Sequence, residues 1–499
     1  MAFVLRRAPK LIPKHTPFPY QVDAIRAVKD LPYAAIFHEQ GLGKTKIAID
    51  LALSWLQTDT VDTVFVVTKK ALVENWRNET RTHCHITPHV LSGDRRQNSA
   101  SLNSPVLLYV TNYEVIASNV SIIKLFLRIC RVGCILDESQ KIKNPEAAIT
   151  RVFHDLASAF ERRVIMTGTP AANRPYDIWA QIRFLDGGEA LGQSFEDFKR
   201  QSDLTDRPGD TADYANRLVS IQQRLAGFAV RETKKTAGIR LPLKTIIAHH
   251  VELPRWQMAK YESYRDELAY EYEVEGAIEA DTAEGILKRL LRLVQCASNP
   301  ALIDGHYAQE PGKYQRLLDM CRDFTPDSKI IVWSSFVDNV EWLAEKLADF
   351  DTVRMHGGLP MYERHRAVEL FTGSTNRILV ATPGAAKEGL TLTAANHAIF
   401  YDRSFSLDDY LQAQDRIHRI SQASDCYIHN LLATDTVDEW VDVLLTAKYR
   451  AAQLTQGDIG LSTFRTSFRT DVSDVLRSVL FSADSTLERC EGQDPMDPA

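Results

Sequence analysis

The stretch "AAIFHEQGLGKTKIAID", Ala34 to Asp50, decides how this chain reads. Gly41-Leu42-Gly43-Lys44-Thr45 stands between an apolar run, "YAAIF", and a helical pattern, "TKIAIDLALSW". A strand-loop-helix of this kind aims the backbone N–H groups of the helix start at phosphate oxygens, and the helix dipole adds to the attraction. Lys44 would then neutralise the outer phosphates and the Thr45 hydroxyl would bind Mg²⁺. The common phosphate-loop pattern places a glycine where this chain has His38. A helix-capping glycine turn is therefore a competing reading, and the rest of the chain has to settle it.

With 499 residues, 44% hydrophobic and 25% charged, the chain has the make-up of an ordinary soluble protein with room for more than one core. No apolar run approaches the ~18 residues of a membrane span, and the start lacks the apolar core of a secretory signal. The 7 cysteines are scattered without a CxxC pair, which argues against a disulfide framework or zinc site and for a reducing compartment. A net charge of −6 excludes a protein that coats nucleic acid by bulk charge. It leaves room for a local groove. Arg6, Arg7, Lys10 and Lys14, with no acid among the first 22 residues, are either such a patch or a solvated leader.

From about residue 33 to 170, short apolar runs ("TVFVVT", "PVLLYVT", "GCILDE", "RRVIMTG") alternate with amphipathic stretches. That is βαβ logic, and it predicts a parallel doubly wound sheet with ligands at the carboxyl ends of its strands. From about 190 to 300 the spacing is helical with little strand character. After about 312 the alternation returns in "KIIVWSS", "DTVRMHG", "RILVAT", "HAIFYD" and "CYIHNLL". The expected organisation is a first lobe over 1–245 with a helical protrusion, a helical linker over 246–311, a second lobe over 312–455, and a polar, partly disordered tail over 456–499. The Tyr261, Tyr264, Tyr270 and Tyr272 stripe reads as packing rather than base stacking, as do Trp76, Trp179 and Trp333.

Two further segments carry chemistry. The strand in "GCILDESQKIKNP" delivers Asp137 and Glu138 to the carboxyl edge of the first sheet. Beside a phosphate loop, Asp137 would hold Mg²⁺ and Glu138 would polarise the attacking water; alone, an acidic pair after a strand also reads as a helix cap. In "YLQAQDRIHRISQ", Arg416 and Arg419 are spaced to share one face of a helix, with Gln412, Gln414, His418 and Gln422 around them. A motor whose ATP lies between two domains needs such arginines to stabilise the transferred phosphoryl group.

Taken in order, these motifs resemble the Swi/Snf-type branch of helicase superfamily two, over roughly residues 18 to 445. The resemblance implies an α/β fold of two RecA-like parallel-sheet lobes in tandem, with helical insertions between them. "HEQGLGKT" is similar to a family loop that already lacks the first glycine, so His38 is a variation at that position. "PFPYQ" resembles the adenine-reading element, which makes Gln21 a base contact. The implied ATP-binding set is Gln21, Gly41, Leu42, Gly43, Lys44 and Thr45, with Thr45 and Asp137 on Mg²⁺ and Lys44, Asp137, Glu138, Arg416 and Arg419 catalytic. "LDESQKIKN" has Gln140 where the family has histidine. "MTGTPAANRPYDIW" resembles the segment that links the ATP site to DNA, so Gln140, Thr167, Gly168, Thr169 and Gln422 are the implied coupling residues. "VVTKKALVENW", "YVTNYEVI", "VWSSF" and "VATPGAAKEGLTLTAAN" resemble DNA-facing segments. They put Thr68, Lys69, Thr111, Asn112, Ser335, Thr382 and Lys387 on the backbone of DNA, with Lys387-Glu388 in place of the usual paired glycines. Lys141 and Lys143 face either DNA or solvent.

Three functions follow as expectations. The first is a DNA-dependent ATPase that translocates on double-stranded DNA. The second is a helicase or fork remodeller on branched DNA; strand separation needs a pin, for which no insertion is recognisable beyond room for a short hairpin within 186–230. The third is a nucleotide-gated clamp. ATP and Mg²⁺ are the expected cofactors, and DNA held without base readout is the expected partner. Targeting would come from DNA structure, a protein partner or the termini, in a bacterial or infected-host cytoplasm, with no membrane.

Overall fold

The computed structural model describes residues 9–171, 173–202, 211–274, 283–373, 376–386 and 390–467. The chain forms two compact units: the first runs to Arg240 and takes back Ala451–Leu461, and the second runs from Leu241 to Arg450.

The first unit contains β1 (Tyr33–Ile36), β2 (Thr63–Thr68), β3 (His89–Val90), β4 (Leu108–Asn112), β5 (Val132–Asp137), β6 (Arg162–Met166) and β7 (Ala229–Val230). Their order is β3-β4-β2-β5-β6-β1-β7, and every pairing is parallel. β2 and β5 are buried at every position, which is why they read as unbroken apolar runs rather than alternating ones. Trp55, Trp76, Ile47, Leu51, Val66 and Ile135 belong to the core beside them.

The second unit contains β8 (Lys244–Val251), β9 (Ile330–Trp333), β10 (Thr352–Met355), β11 (Ile378–Ala381), β12 (His397–Phe400) and β13 (Cys426–Ala433). The order is β10-β11-β9-β12-β13-β8, again all parallel. Its core holds Leu317, Ile330, Val332, Leu343, Val380 and Ile399. Tyr261 is buried and its hydroxyl accepts the Val437 N–H at 2.7 Å, as the packing reading requires. The side chains of Tyr270 and Tyr272 lie outside the description.

One row of side chains in this sheet is unusual. Arg316 can only donate, and it donates to His249 Nδ1 at 3.1 Å. The His249 proton must then sit on Nε2, which is 2.9 Å from His429 Nδ1. His429 in turn uses Nε2 toward His397 Nδ1 at 3.1 Å. Burial, then His249, His397 and Arg316, push His429 down to about 3, and burial lowers His249 and His397 as well, so the three imidazoles are neutral beside the Arg316 cation.

Two expectations change. The boundary placed after residue 245 falls inside β8, and the expected all-helical linker opens with strand. β8 escaped notice because it is an edge strand with a mostly half-buried pattern, whereas β7 is only 2 residues long. The helices Phe195–Ser202, Thr211–Leu225, Arg255–Val274 and Ala283–Ser298 do fill the rest of that block. The second change concerns the tail expected from 456. Asp458 pairs with Arg231 at 2.6 Å, so Ala451–Leu461 is part of the first unit. Leu461–Ser467 is helical with Phe464 fully buried; 468–499 lie outside the described residues. Among the described residues no helix is long and apolar enough to cross a membrane.

Candidate nucleotide site

The loop Gly41–Thr45 leaves β1 and enters the helix Lys44–Gln57 through two glycines in the left-handed region, Gly41 at φ 85° and Gly43 at φ 68°. Gly43 also has no room for a side chain, because a Cβ there would stand 2.5 Å from Gln21 Nε2. Gln21 is buried; its amide donates to the Leu42 carbonyl at 3.2 Å and accepts the Phe18 N–H at 2.9 Å. It braces the loop, and both ends of its amide already have protein partners. Lys44 folds over the loop onto the carbonyls of His38 and Glu39, at 2.9 and 3.1 Å. Leu42 is fully buried and Thr45 half-buried in the first helical turn. Burial, then Lys44 and Arg231, lower the His38 pKa to about 4, so the ring is a neutral spacer.

Asp137 ends β5 and lies close enough to Lys44 for the lysine charge to act on its carboxyl. Trp76 Nε1 donates to Asp137 Oδ2 at 2.7 Å and Thr68 Oγ1 donates to it at 3.2 Å. The Glu138 N–H reaches Oδ1 at 3.0 Å, and Tyr113 donates to the Asp137 carbonyl at 2.8 Å. Burial first and then Glu138 raise the Asp137 carboxyl to about 6. Its charge is thus only partly compensated, and a carboxylate is a hard oxygen ligand of the kind that suits Mg²⁺.

Glu138 follows with a left-handed backbone, φ 54°, strained for a residue with a side chain. Its Oε2 accepts from Lys69 Nζ at 3.3 Å and from Gln140 Nε2. Gln140, expected as a coupling residue, therefore bonds the Glu138 carboxylate directly. The link to the Thr167-Gly168-Thr169 segment runs elsewhere. Ser139 Oγ donates to Gln181 Oε1 at 2.7 Å, and the Gln181 amide donates to the carbonyls of Pro170 and Asp177 at 2.9 and 2.8 Å. Gly168 lies against the loop, since a Cβ there would meet Gln40 at 2.9 Å. Arg231 donates to the carbonyls of Gly168 (3.2 Å) and Phe37.

Trp76, Tyr113, Gln181 and Arg231 are thus site-supporting residues that sequence reasoning missed or took as packing. The signal was faint: Trp76 and Tyr113 each contribute a single polar atom on a residue that patterning places in the interior, and Gln181 and Arg231 stand outside any short motif. The expected DNA-facing set also narrows. Thr68 and Thr111 are fully buried with hydroxyls bonded to Asp137 and the Leu91 carbonyl, so neither reaches a phosphate in this conformation. Asn112 is half-buried and caps the following helix through the Val115 N–H. Lys141 pairs with Glu114 and Lys143 with Asp177, both at 2.9 Å.

In the second unit, the spacing of Arg416 and Arg419 predicted a shared helix face, but the helix Leu407–Gln414 has already ended. Both arginines lie in tight turns closed by Arg416 N–H to Ala413 and Gln422 N–H to Arg419. The turns are fixed because Gln422 spends its whole amide locally, donating to the carbonyls of Thr393, Ala395 and Ile417 and accepting from Ala423 and Ser424. Arg416 is buried and donates to the Leu390 carbonyl at 3.3 Å; Arg419 donates to Thr391 Oγ1 at 3.1 Å. Ser335 is half-buried with its N–H on Asp402, Thr382 is buried, and Lys387, Glu388 and Gly389 lie outside the described residues.

Comparison with known proteins agrees with this geometry. Residues 33–302 match the SNF2-related domain, and residues 312–421 match the helicase conserved C-terminal domain. The chain belongs to the SNF2-related family of helicase-like ATPases. SNF2-related relatives include the chromodomain-helicase-DNA-binding protein 1-like of Danio rerio, 26% identical over 87% of this chain and 43% of that protein. The putative ATP-dependent helicase/translocase YwqA of Bacillus subtilis is 26% identical over 83% of this chain and 45% of that protein. The chain spans about two-fifths of the length of the first curated relatives it matches. A solved SWI2/SNF2 ATPase core of Sulfolobus solfataricus in complex with dsDNA is 24% identical, with a TM-score of 0.42 over 95% of this chain and 99% of that one.

Proposed function

We propose that this chain is a DNA-dependent ATPase that translocates along double-stranded DNA, holding the backbone without reading bases. The observation that carries the reading is at the carboxyl edge of the first sheet. There the end of β2, which resembles a DNA-contacting segment, bonds both candidate catalytic carboxylates: Thr68 to Asp137 and Lys69 to Glu138. A phosphate-binding loop and a backbone-tracking segment are thus joined through the groups that would do the chemistry.

In this reading the loop N–H groups and Lys44 hold the outer phosphates of ATP. Thr45 and Asp137 would hold Mg²⁺, which when bound neutralises phosphate charge. Glu138 orients and polarises the attacking water, and Trp76 fixes Asp137 so that it need not reorganise during the reaction. Arg416 and Arg419 are the second unit's candidates for stabilising charge on the transferred phosphoryl group. The proposal places the chain in a bacterial or infected-host cytoplasm. Duplex translocation is favoured over strand separation because the described residues of 186–230 hold helices and the parallel β7, with no hairpin to serve as a pin.

The test is steady-state ATP hydrolysis without DNA and with single-stranded, duplex and forked DNA, alongside Lys44→Ala. Stimulation by plain duplex, abolished in the variant, is expected, followed by displacement of a triplex-forming strand. Stimulation by forks alone would replace this reading with the remodeller. Absence of any stimulation would replace it with a clamp.

A further inference from the structure

We propose that Lys69 is the positioning residue through which DNA turns hydrolysis on: without DNA its ammonium occupies Glu138, and a backbone phosphate draws it away. This deepens the proposed function and rests on that reading.

The parallel register makes the contact a consequence of the fold. Val67 of β2 stands beside Leu136 of β5, so the last residues of the two strands bring Thr68 to Asp137 and the first positions beyond them bring Lys69 to Glu138. The left-handed turn at Glu138 presents its carboxylate to the same edge. Lys69 Nζ and Gln140 Nε2 then converge on a single oxygen, Oε2. A carboxylate that must orient and polarise water needs a free acceptor oxygen toward that water. Gln140 is neutral and can orient Glu138 without cancelling its charge; Lys69 cancels it.

The lysine is also placed to leave. Its side chain is 22% exposed against 13% for Glu138, so the ammonium lies on the solvent side of the pair. Asn112 stands at the end of the adjacent strand, in register with Thr68. A backbone phosphate arriving at this row offers Lys69 a more highly charged partner than one carboxylate. Exchanging Glu138 for phosphate satisfies the ammonium throughout and takes the cation off Oε2, leaving only the neutral Gln140 donor there.

The experiment measures kcat of the full chain with and without saturating duplex DNA for wild type, Lys69→Ala, Lys69→Gln and Lys69→Arg, with Lys70→Ala as a neighbouring cation outside the pair. Lys69→Ala and Lys69→Gln should each raise the DNA-free rate about three- to tenfold, the scale of a partly buried ion pair, and shrink the stimulation ratio by the same factor. Lys69→Arg should restore the low DNA-free rate, and Lys70→Ala should leave it unchanged. Damage to the fold lowers a rate and cannot produce this gain. A DNA-free rate that stays flat or falls in both Lys69→Ala and Lys69→Gln, with an unshifted thermal midpoint, overturns the proposal while wild-type stimulation leaves the translocase reading standing. If wild type responds to no DNA, the translocase reading fails and DNA is overturned as the releasing partner, whatever the variants do.

Discussion

Each unit carries an aspartate at the carboxyl end of a strand near the middle of its sheet, yet the two have different neighbours. Asp137 closes β5, and burial together with Glu138 raises its carboxyl. Asp402 lies just beyond β12, 1% exposed. Its Oδ2 accepts from Ser298 at 2.8 Å, Ser334 at 2.7 Å and Asn339 at 3.3 Å, and its Oδ1 accepts the Ser335 N–H at 2.6 Å. The topology is the same. What differs is the charged company: Asp402 takes four neutral donors and acts as an anchor, whereas Asp137 takes three and has Glu138 and Lys44 acting on its charge. A parallel sheet delivers a carboxylate to its edge; the neighbouring loops decide whether it does chemistry or holds structure.

The strongest way to break this contrast is to neutralise each carboxylate. Asp137→Asn should lower kcat about a hundredfold or more with little change in thermal midpoint. Asp402→Asn should instead cost about 2–3 kcal/mol of stability, because four donors lose their charged acceptor. Calorimetry beside ATP turnover checks both, and the contrast fails if Asp402→Asn removes turnover without a stability loss.

Acid should separate the two units next. His429 has a folded pKa of about 3, below its ordinary 6.5, so the unfolded chain takes up the proton first as pH falls. Stability from this group is complete above pH 6.5 and falls by about 2 kcal/mol at pH 5. Asp137 works in the opposite sense. Its folded pKa lies above 3.8, so between that value and about 6 the native state binds more proton and acidification stabilises the first unit. Hydrogen exchange from pH 8 to 5, corrected for intrinsic rates, should show β13 losing protection while β5 does not. Equal loss in both strands would refute the difference.

The smallest effect sharpens the account of Asp137. Trp76→Phe keeps an aromatic ring but removes the pyrrole portion with its N–H to Oδ2, the lost hydrogen bond alone costing about 1 kcal/mol. Losing a donor to the charged form raises the Asp137 pKa further, so the acid limb of kcat/KM should move to higher pH. A pH profile that stays in place would show that Trp76 only packs.

Much of the fold was legible along the chain. Mostly buried parallel strands appear as apolar runs, so β1, β2, β4 to β6, β9 and β11 to β13 could be read directly, and β10 was read although it is only partly buried. β8 could not: an edge strand buries little, and its pairing with β13 spans a long sequence separation that no local pattern records. The same division holds at the site. Lys44, Asp137 and Glu138 announce themselves because phosphate and metal chemistry restricts residue type at fixed spacing. Arg416 and Arg419 were visible as residues but placed on a helix, because spacing cannot show that Gln422 has turned the backbone.

By itself, then, the order of residues determined the class of fold, the phosphate loop, the acidic pair and the arginine segment, since each depends on local periodicity or a short motif. Only the tertiary structure decided which groups hold those residues in place: Trp76 and Thr68 on Asp137, Lys69 and Gln140 on Glu138, Gln181 between Ser139 and Pro170, and Asp458 on Arg231. With the exception of Gln140, these partners come from distant segments. Their hydrogen bonds and ion pairs depend on strand register and loop path, which exist only once the chain has folded.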